Sequence, residues 1–317
     1  MMSVLFSTHN GGTVLPKMLA SLARAKIPVG GCKFIAVNNA STDDTQRVLE
    51  DFSQVLKLTV LQEPAPGKNR SLNRALEHAE GDLFIFCDDD VIVAEDWLLQ
   101  WRALADGLPE YSLFAGSTLP FWPADPPEWS LKTRDISIIF GTNEHMMEGP
   151  CDPRCMLGTN MALRAAIFED GSIKFDAKIG PDSSRAYPMG SETQLARRLA
   201  NLGYECWFSP GPRVAHIIRP HQLERPAILM RAYRWGRGQA HMEEPHHYSP
   251  QRLSRKNFLR WSLYPLLMHF YGPAEAWSRQ WEWVADQGYE DGWRERQEKQ
   301  PRWLSRQGGP RIVSRFR

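Results

Sequence analysis

Three adjacent carboxylates, Asp88-Asp89-Asp90, follow the apolar run Phe84-Ile85-Phe86. Like charges this close repel unless a cation or hydrogen-bond donors compensate them. On extended chain, Asp88 and Asp90 point to one side and Asp89 to the other. Two carboxylates side by side at a strand end make a hard oxygen site for Mg²⁺ or Mn²⁺, of the kind that shares its ion with substrate phosphates. A solvated acidic turn is the plain alternative, and the buried strand in front of it favours the site. Glu192, in Gly190-Ser191-Glu192, opens a helix. It is either a first-turn carboxylate favoured by the helix dipole or a general base at the mouth of a cleft. His216 closes the run Val214-Ala215-His216. Its imidazole suits Mn²⁺ as a third ligand beside Asp90, and a structural histidine fits the same position. Arg231 and Arg234 lie three apart on one helix face. Two guanidiniums there can clamp a diphosphate or form a solvated basic surface.

Alternating elements must position these groups. Apolar runs at 3–7, 34–37, 58–61 and 83–87 read as strands. Between the first two, Leu15, Met18, Leu19 and Leu22 recur at helical spacing. A helix capped by Thr42 or Asp43 follows the second strand, and a helix over 70–80 stopped by Gly81 precedes the fourth. This alternation predicts βαβ units and a mostly parallel sheet. Ligands bind such sheets beyond the carboxyl ends of the strands. The runs Thr8-His9-Asn10, Asn38-Asn39 and Asp88-Asp89-Asp90 all stand there. Further on, 121–129 reads as a proline- and tryptophan-rich loop, and 178–190 as a flexible loop. The stretch 158–168 reads as a strand leading to a helix. Helices are expected over 192–202 and 226–236, with short strands at 206–208 and 214–218. Beyond Pro245 the chain reads as helical and rich in tryptophan.

The 317 residues hold 38 Lys/Arg against 37 Asp/Glu, a net charge of +1, with 42% hydrophobic residues. These are the proportions of an ordinary globular chain of about two domains. Near-neutral charge and the lack of a recognised motif leave no case for a nucleic-acid partner. From Gln251 onward the balance turns basic, with 13 Lys/Arg against 7 Asp/Glu. No apolar stretch reaches the roughly 18 residues of a membrane span, so a cytoplasmic chain is expected. Five cysteines imply no disulfide framework. Two units are expected, 1–240 and a helical, basic 241–317. The second packs on the first as a helical cap, covers the cleft, forms an interface between chains, or lies on an anionic membrane surface as a peripheral contact.

Taken in order, these motifs resemble glycosyltransferase family 2 over roughly residues 3–238. Ser3-Val4-Leu5-Phe6-Ser7-Thr8-His9-Asn10 is similar to the family's opening strand. Val37-Asn38-Asn39-Ala40-Ser41-Thr42-Asp43 is similar to its Asp-x-x-Ser-x-Asp segment. Gly67-Lys68 with Asn73-Arg74-Ala75-Leu76 matches the helix before its Asp-x-Asp motif, which Asp88-Asp89-Asp90 matches in turn. Gly158-Thr159-Asn160-Met161-Ala162-Leu163-Arg164 matches a Gly-x-Asn-x-x-x-Arg stretch on the acceptor side, and Gly190-Ser191-Glu192-Thr193-Gln194-Leu195 matches Gly-Glu-Asp-x-x-Leu.

The resemblance implies the GT-A fold, Rossmann-like, with a helical C-terminal appendage. It implies an inverting enzyme that moves a sugar from a nucleotide-diphosphate donor, UDP-sugars foremost, to a hydroxyl of a glycan or lipid-linked glycan in cell-surface polysaccharide synthesis. It places Ser7, His9, Asn10 and Asn38 at the nucleotide, with Lys68 near the base or diphosphate. Asp88 and Asp89 fall to the donor, Asp90 to the metal with Asp88 and His216, and Glu192 to the catalytic base. Arg231, Arg234 and Trp235 resemble the Gln/Arg-x-x-Arg-Trp motif of processive synthases, which carry membrane helices. Transfer of one or a few sugars is therefore expected here. Asn38 stands where the family usually has Asp, and His9 where it usually has an aromatic residue. A sugar-phosphate nucleotidyltransferase and a non-catalytic nucleotide- or sugar-binding protein of the same fold remain alternatives. The first needs a glycine-rich basic loop, of which Gly11-Gly12 is a poor version.

Overall fold

The computed structural model describes residues 1–126, 136–242 and 250–299, with some side chains of the last helix outside the description. The end of the 121–129 loop and the chain beyond 299, with Trp303, lie outside the described residues. In chain order come β1 (Met2–Thr8), α1 (Leu15–Arg24), β2 (Cys32–Asn39), α2 (Thr45–Leu56), β3 (Thr59–Glu63), α3 (Lys68–Leu76) and β4 (Leu83–Phe86). Then follow β5 (Val91–Val93), α4 (Trp97–Gly107), β6 (Leu113–Phe121), α5 (Ile136–Phe140), β7 (Gly149–Cys151) and β8 (Met161–Arg164). The described chain closes with α6 (Ser191–Asn201), β9 (Cys206–Ile217), α7 (Arg225–Met242) and α8 (Pro250–Lys299).

The described strands form one sheet in the order β3-β2-β1-β4-β8-β6-β9-β5, with β7 pairing β9 to the side. The first four run parallel, as the βαβ reading requires. β8 enters antiparallel between β4 and β6. Both faces are covered, so Val4, Leu5 and Phe6 of β1 are apolar in succession and all buried. Val4 and Phe6 join Leu15, Met18 and Leu19 of α1 and Trp97 and Trp101 of α4 on one face. Leu5 joins Leu72 and Ala75 of α3 and Leu195 and Leu199 of α6 on the other.

Local chemistry moves some boundaries from their expected places. α2 starts at Thr45 because Asp43 accepts from the Thr45 backbone N–H (3.0 Å) and from that of Gly12 (3.0 Å). α3 starts at Lys68, two residues early, directly after Gly67 at φ 147°. The 158–168 stretch makes β8, but only a 3₁₀ turn follows it over Ala165–Phe168. The two strands expected at 206–208 and 214–218 are one, β9, with its register against β6 shifted between Gly116 and Ser117. Asn160 pins that irregularity. Its Nδ2 donates to the Ser117 and Pro212 carbonyls at 2.8 Å each, and its Oδ1 accepts from Trp97 Nε1 at 2.9 Å. Arg164 donates to the carbonyls of Tyr111, Ala105 and Leu108, which closes the C-terminal end of α4.

The C-terminal helices meet at glycines. A β-carbon on Gly236 would collide with the Ala285 carbonyl, and one on Gly288 with that of Tyr233. Absent side chains let the two backbones approach. Polar rungs flank the contact, with Tyr233 Oη donating to Asp291 (2.8 Å) and Arg237 paired with Glu295 (2.5 Å). Ile228 and Ala232 of α7 join Trp277, Trp281 and Ala285 of α8 in a third apolar cluster, which also takes in Ile139 and Phe140. No described helix is long and apolar enough to cross a membrane.

Candidate active site

Strands β1, β2 and β4 end at one edge of the sheet, and the N-termini of α3 and α6 point to it. Between them lies a cavity of about 340 Å³. Asn39 fixes one wall. It accepts from the Gly67 N–H (2.8 Å) and donates to the carbonyls of Glu63 and Ala65. Those bonds deliver Lys68 at the start of α3. Lys68 Nζ stands 2.6 Å from Asp88 Oδ1 and 2.7 Å from Glu192 Oε1. One ammonium thus bridges the acidic run and the carboxylate that opens α6. Burial pushes Glu192 up, but Lys68 outweighs it and holds the carboxyl below its ordinary value. Burial pulls Lys68 down, and its two carboxylates reverse that and push it up. Gly158 makes room for this arrangement, since a β-carbon there would stand 2.6 Å from Glu192 Cδ.

Asp89 turns the other way and accepts from Thr8 Oγ1 at 2.5 Å. Burial and the Asp90 charge push its pKa up to about 7. Asp90 faces two cationic groups. His216 Nε2 lies 3.5 Å from Oδ1, and Arg219 Nη2 lies 3.2 Å from Oδ2. Burial raises its pKa, but His216 and Arg219 prevail and bring it to about 2. The β5–β9 ladder sets the pair up by placing Val91 opposite His216. His216 Nδ1 lies 2.7 Å from the Phe140 carbonyl. A carbonyl only accepts, so Nδ1 carries a proton and Nε2 is left towards Asp90. Ligating histidines are commonly oriented by such a bond.

The model of glycosyl transferase family 2 matches residues 3–171, more than half of the chain. The chain belongs to glycosyltransferase family 2. It is similar to the probable glycosyltransferase YdaM of Bacillus subtilis, 27% identical over 246 residues, which are 74% of this chain and 54% of YdaM. The chain thus spans about half the length of that relative. The poly(ribitol-phosphate) β-N-acetylglucosaminyltransferase TarS of Staphylococcus aureus is 32% identical over 108 residues, 33% of this chain and 18% of TarS. Among solved structures, the mannosyltransferase PcManGT of Pyrobaculum calidifontis, in complex with GDP-Man and Mn²⁺, shares the fold at TM-score 0.62 and 17% identity. That match covers 93% of this chain and 87% of that one. TarS 1–349 in complex with UDP shares it at TM-score 0.51 and 16% identity, covering 94% and 92%. The fold is the GT-A fold that these glycosyltransferases share.

Most of the residues singled out in this family 2 sequence converge on the cavity. Ser7, His9, Lys68, Asp88, Asp89, Asp90, His216 and Arg231 line it, and Glu192 meets it through Lys68. His9 is held by its Nδ1, which donates to the Asn39 carbonyl at 2.6 Å. Arg231 is anchored by Nε on the Ile138 carbonyl at 2.8 Å. Four residues stand apart from the lining. Asn10 is exposed and accepts from the Thr42 N–H. Asn38 donates to Gln46 Oε1 of α2 (2.9 Å), and its buried Oδ1 has no hydrogen-bond partner. Arg234 binds the Arg185 carbonyl and stacks over the Tyr187 ring at 4.4 Å, so it holds the 178–190 loop. Trp235 packs on Trp281 of α8, ring centroids 5.5 Å apart. The Asn160 and Arg164 of the Gly-x-Asn-x-x-x-Arg stretch serve the scaffold, as described above.

Asn39, Thr159, Asp182, Tyr187, Arg219 and Gln222 line the cavity without having been singled out. Asn39 and Arg219 carried a signal, since each is a polar side chain just past or at the end of a strand that enters the site. The others sit on irregular chain whose direction no periodicity gives.

Proposed function

We propose that the protein is an inverting, metal-dependent glycosyltransferase. It moves a sugar from a nucleotide-diphosphate donor, foremost a UDP-sugar, to a hydroxyl of a glycan or lipid-linked glycan in cell-surface polysaccharide or glycoconjugate synthesis. One observation carries the reading: Glu192 meets Asp88 across a single ammonium, in a cavity whose walls also carry Asp90, His216 and Arg231. A base and a diphosphate site so close together are what a direct displacement at a sugar C1 needs.

The donor set fits Mn²⁺ or Mg²⁺. Asp88 and Asp90 supply hard oxygens and His216 an oriented nitrogen, and the Phe140 carbonyl that fixes His216 supports the fit. Asp90, Asp88 and His216 would hold the ion. When bound, a divalent cation neutralises charge that builds on the leaving diphosphate. Glu192, ionised beside Lys68, takes the proton of the acceptor hydroxyl on the opposite face of the sugar. Lys68 and Arg231 attract the diphosphate. His9 serves the nucleobase, and Asn38, bonded to Gln46, takes no part in it. The 178–190 loop, held to α7 through Arg234 and by the Met189 N–H on the Arg234 carbonyl, excludes water from the sugar.

All cavity-lining residues precede 241, which supports reading 1–240 as the transferase unit. In this reading α8 braces it, and the basic stretch from Gln251 onward meets an anionic membrane surface from the cytoplasmic side. The nucleotidyltransferase alternative gains no support. Gly11 is tight against Thr8 and Asp89, and Gly12 is tied to Asp43, so this segment is committed to structure and offers no phosphate cradle.

The test begins with a thermal-shift panel of UDP-, GDP- and dTDP-sugars with and without Mn²⁺. With the donor so found, Glu192→Gln loses at least about 100-fold in turnover, the scale of a general base. Donor affinity stays within about threefold. Near-wild-type transfer by that variant removes Glu192 from the mechanism.

A further inference from the structure

Arg219 lies two residues past the end of β9, and no motif pointed to it. Its backbone N–H donates to Gln222 Oε1 at 2.7 Å, and the Gln222 N–H returns to the Arg219 carbonyl at 2.9 Å. The main chain here is fixed, while the side chain is 37% exposed against 12% for Asp90. Of the five N–H donors of a guanidinium, one on Nη2 reaches Asp90 Oδ2 at 3.2 Å. The Nε–H is buried and has no acceptor. The carboxylate that best suits a divalent ion is thus already held by a cation of the protein, and that cation has donors to spare.

We propose that Arg219 is an exchangeable counter-cation: it holds Asp90 until a divalent ion takes that carboxylate, and then moves onto the donor's diphosphate. The inference rests on the reading of the cavity as a nucleotide-diphosphate site. Asp88, Asp89 and Asp90 repel one another, and each needs a partner for the run to stay folded. Lys68 serves Asp88, Thr8 serves Asp89, and Arg219 with His216 serves Asp90. A divalent ion at Asp90 would leave the Arg219 charge beside a stronger one of the same sign. The nearest relief is an anion in the same cavity. A planar fork of N–H groups matches paired phosphate oxygens, and the idle Nε–H gains an acceptor. Arg219 then meets the charge that grows on the leaving diphosphate. Ion and nucleotide would enter as coupled ligands, each making room for the other.

Calorimetry separates the two halves of this proposal. Mn²⁺ alone is titrated into the full-length protein. UDP, GDP or dTDP, whichever the wild type binds, is then titrated at saturating Mn²⁺. Arg219→Met is compared with Arg231→Met, which removes a cavity cation that is anchored on Ile138. Arg219→Gln is the second variant should the first lose its fold. Expected for Arg219→Met is Mn²⁺ binding tighter by roughly fivefold, the scale of one partly exposed ion pair. Nucleotide binding becomes weaker by about tenfold or more, the scale of a lost charge-assisted contact. Arg231→Met, whose charge acts on Asp90 and Asp88 without an ion pair to either, tightens Mn²⁺ by clearly less. Unchanged Mn²⁺ affinity in Arg219→Met overturns the proposal. So does a joint weakening of both ligands, an equal gain in Arg231→Met, or tighter Mn²⁺ with unchanged nucleotide. A wild type that binds none of the three nucleotides refutes the donor reading itself, and the Mn²⁺ arm still reports on the Arg219–Asp90 pair.

Discussion

Gly158→Ala tests the placement of Glu192 without touching an ionisable group. The new β-carbon would stand 2.6 Å from Glu192 Cδ and 3.0 Å from Cγ. Carbon atoms pack at about 3.5 Å or more, so the carboxyl carbon must retreat by about 1 Å. The backbone at 158 is not in the left-handed region, and the atoms in the way belong to the end of a side chain. The protein therefore folds, and the carboxylate gives way. A shift of that size at a reacting group costs on the order of 100-fold in rate, or about 2.7 kcal/mol in the barrier. The assay is nucleoside-diphosphate release in the presence of acceptor, run beside donor affinity by calorimetry and the thermal midpoint. Turnover falls by about two decades, donor affinity holds within about threefold, and the midpoint moves by a few degrees at most. Wild-type turnover would refute the reasoning, because Glu192 would then tolerate displacement. A fall in donor affinity equal to the fall in turnover would refute it too, by showing that the damage is general.

Asn160→Ala strips partners from Trp97, Ser117 and Pro212 in the core. At about 1–3 kcal/mol per orphaned buried group, urea unfolding registers a loss of about 4 kcal/mol. Gly238→Ala drives a methyl into the Met189 backbone, so the 178–190 loop lifts from α7. Limited proteolysis then cuts within that loop faster than in wild type, while a core cleavage site is unaffected. Metal affinity follows pH through His216. Burial lowers its pKa, but Asp90 outweighs it and holds the proton more tightly than usual. A metal needs the same Nε2, so Mn²⁺ affinity rises from pH 6 to pH 8, by up to about tenfold per unit below that pKa. A flat profile removes His216 from the ligand set.

The first half of the sheet was legible because its signals are local. β1 to β4 are separated by amphipathic helices, and β1, β2 and β4 each run into a polar cluster at the same edge. The second half depends on long-range pairing. β8 joins β4 to β6, and β9 spans what reads as two strands, because the irregularity at Pro210-Gly211-Pro212 is paid for by Asn160, fifty residues earlier in the chain. Motif matching picked out Asp88-Asp89-Asp90, Glu192 and His216, which the fold brings together around one cavity. It did not tell site from scaffold. Asn160 and Arg164 sit in a recognised stretch yet bond to main-chain carbonyls. On β2 the side chains alternate, so Asn39 lines the cavity while Asn38 turns to Gln46. Trp235 belongs to Trp281, a pairing that exists only once α8 lies on α7.

The strand order has a consequence for how the chain matures. β4 and β5 are separated in sequence by four residues, yet β8, β6 and β9 lie between them in the sheet. β5 pairs with β9, so Asp90 acquires its histidine only when residues 206–217 have left the ribosome. Until then the cavity lacks the wall that carries His216, Arg219 and Arg231. A nascent or truncated chain ending before β9 would present Asp90 without His216 and Arg219. The cleft is complete only once Arg231, its last lining residue, has followed.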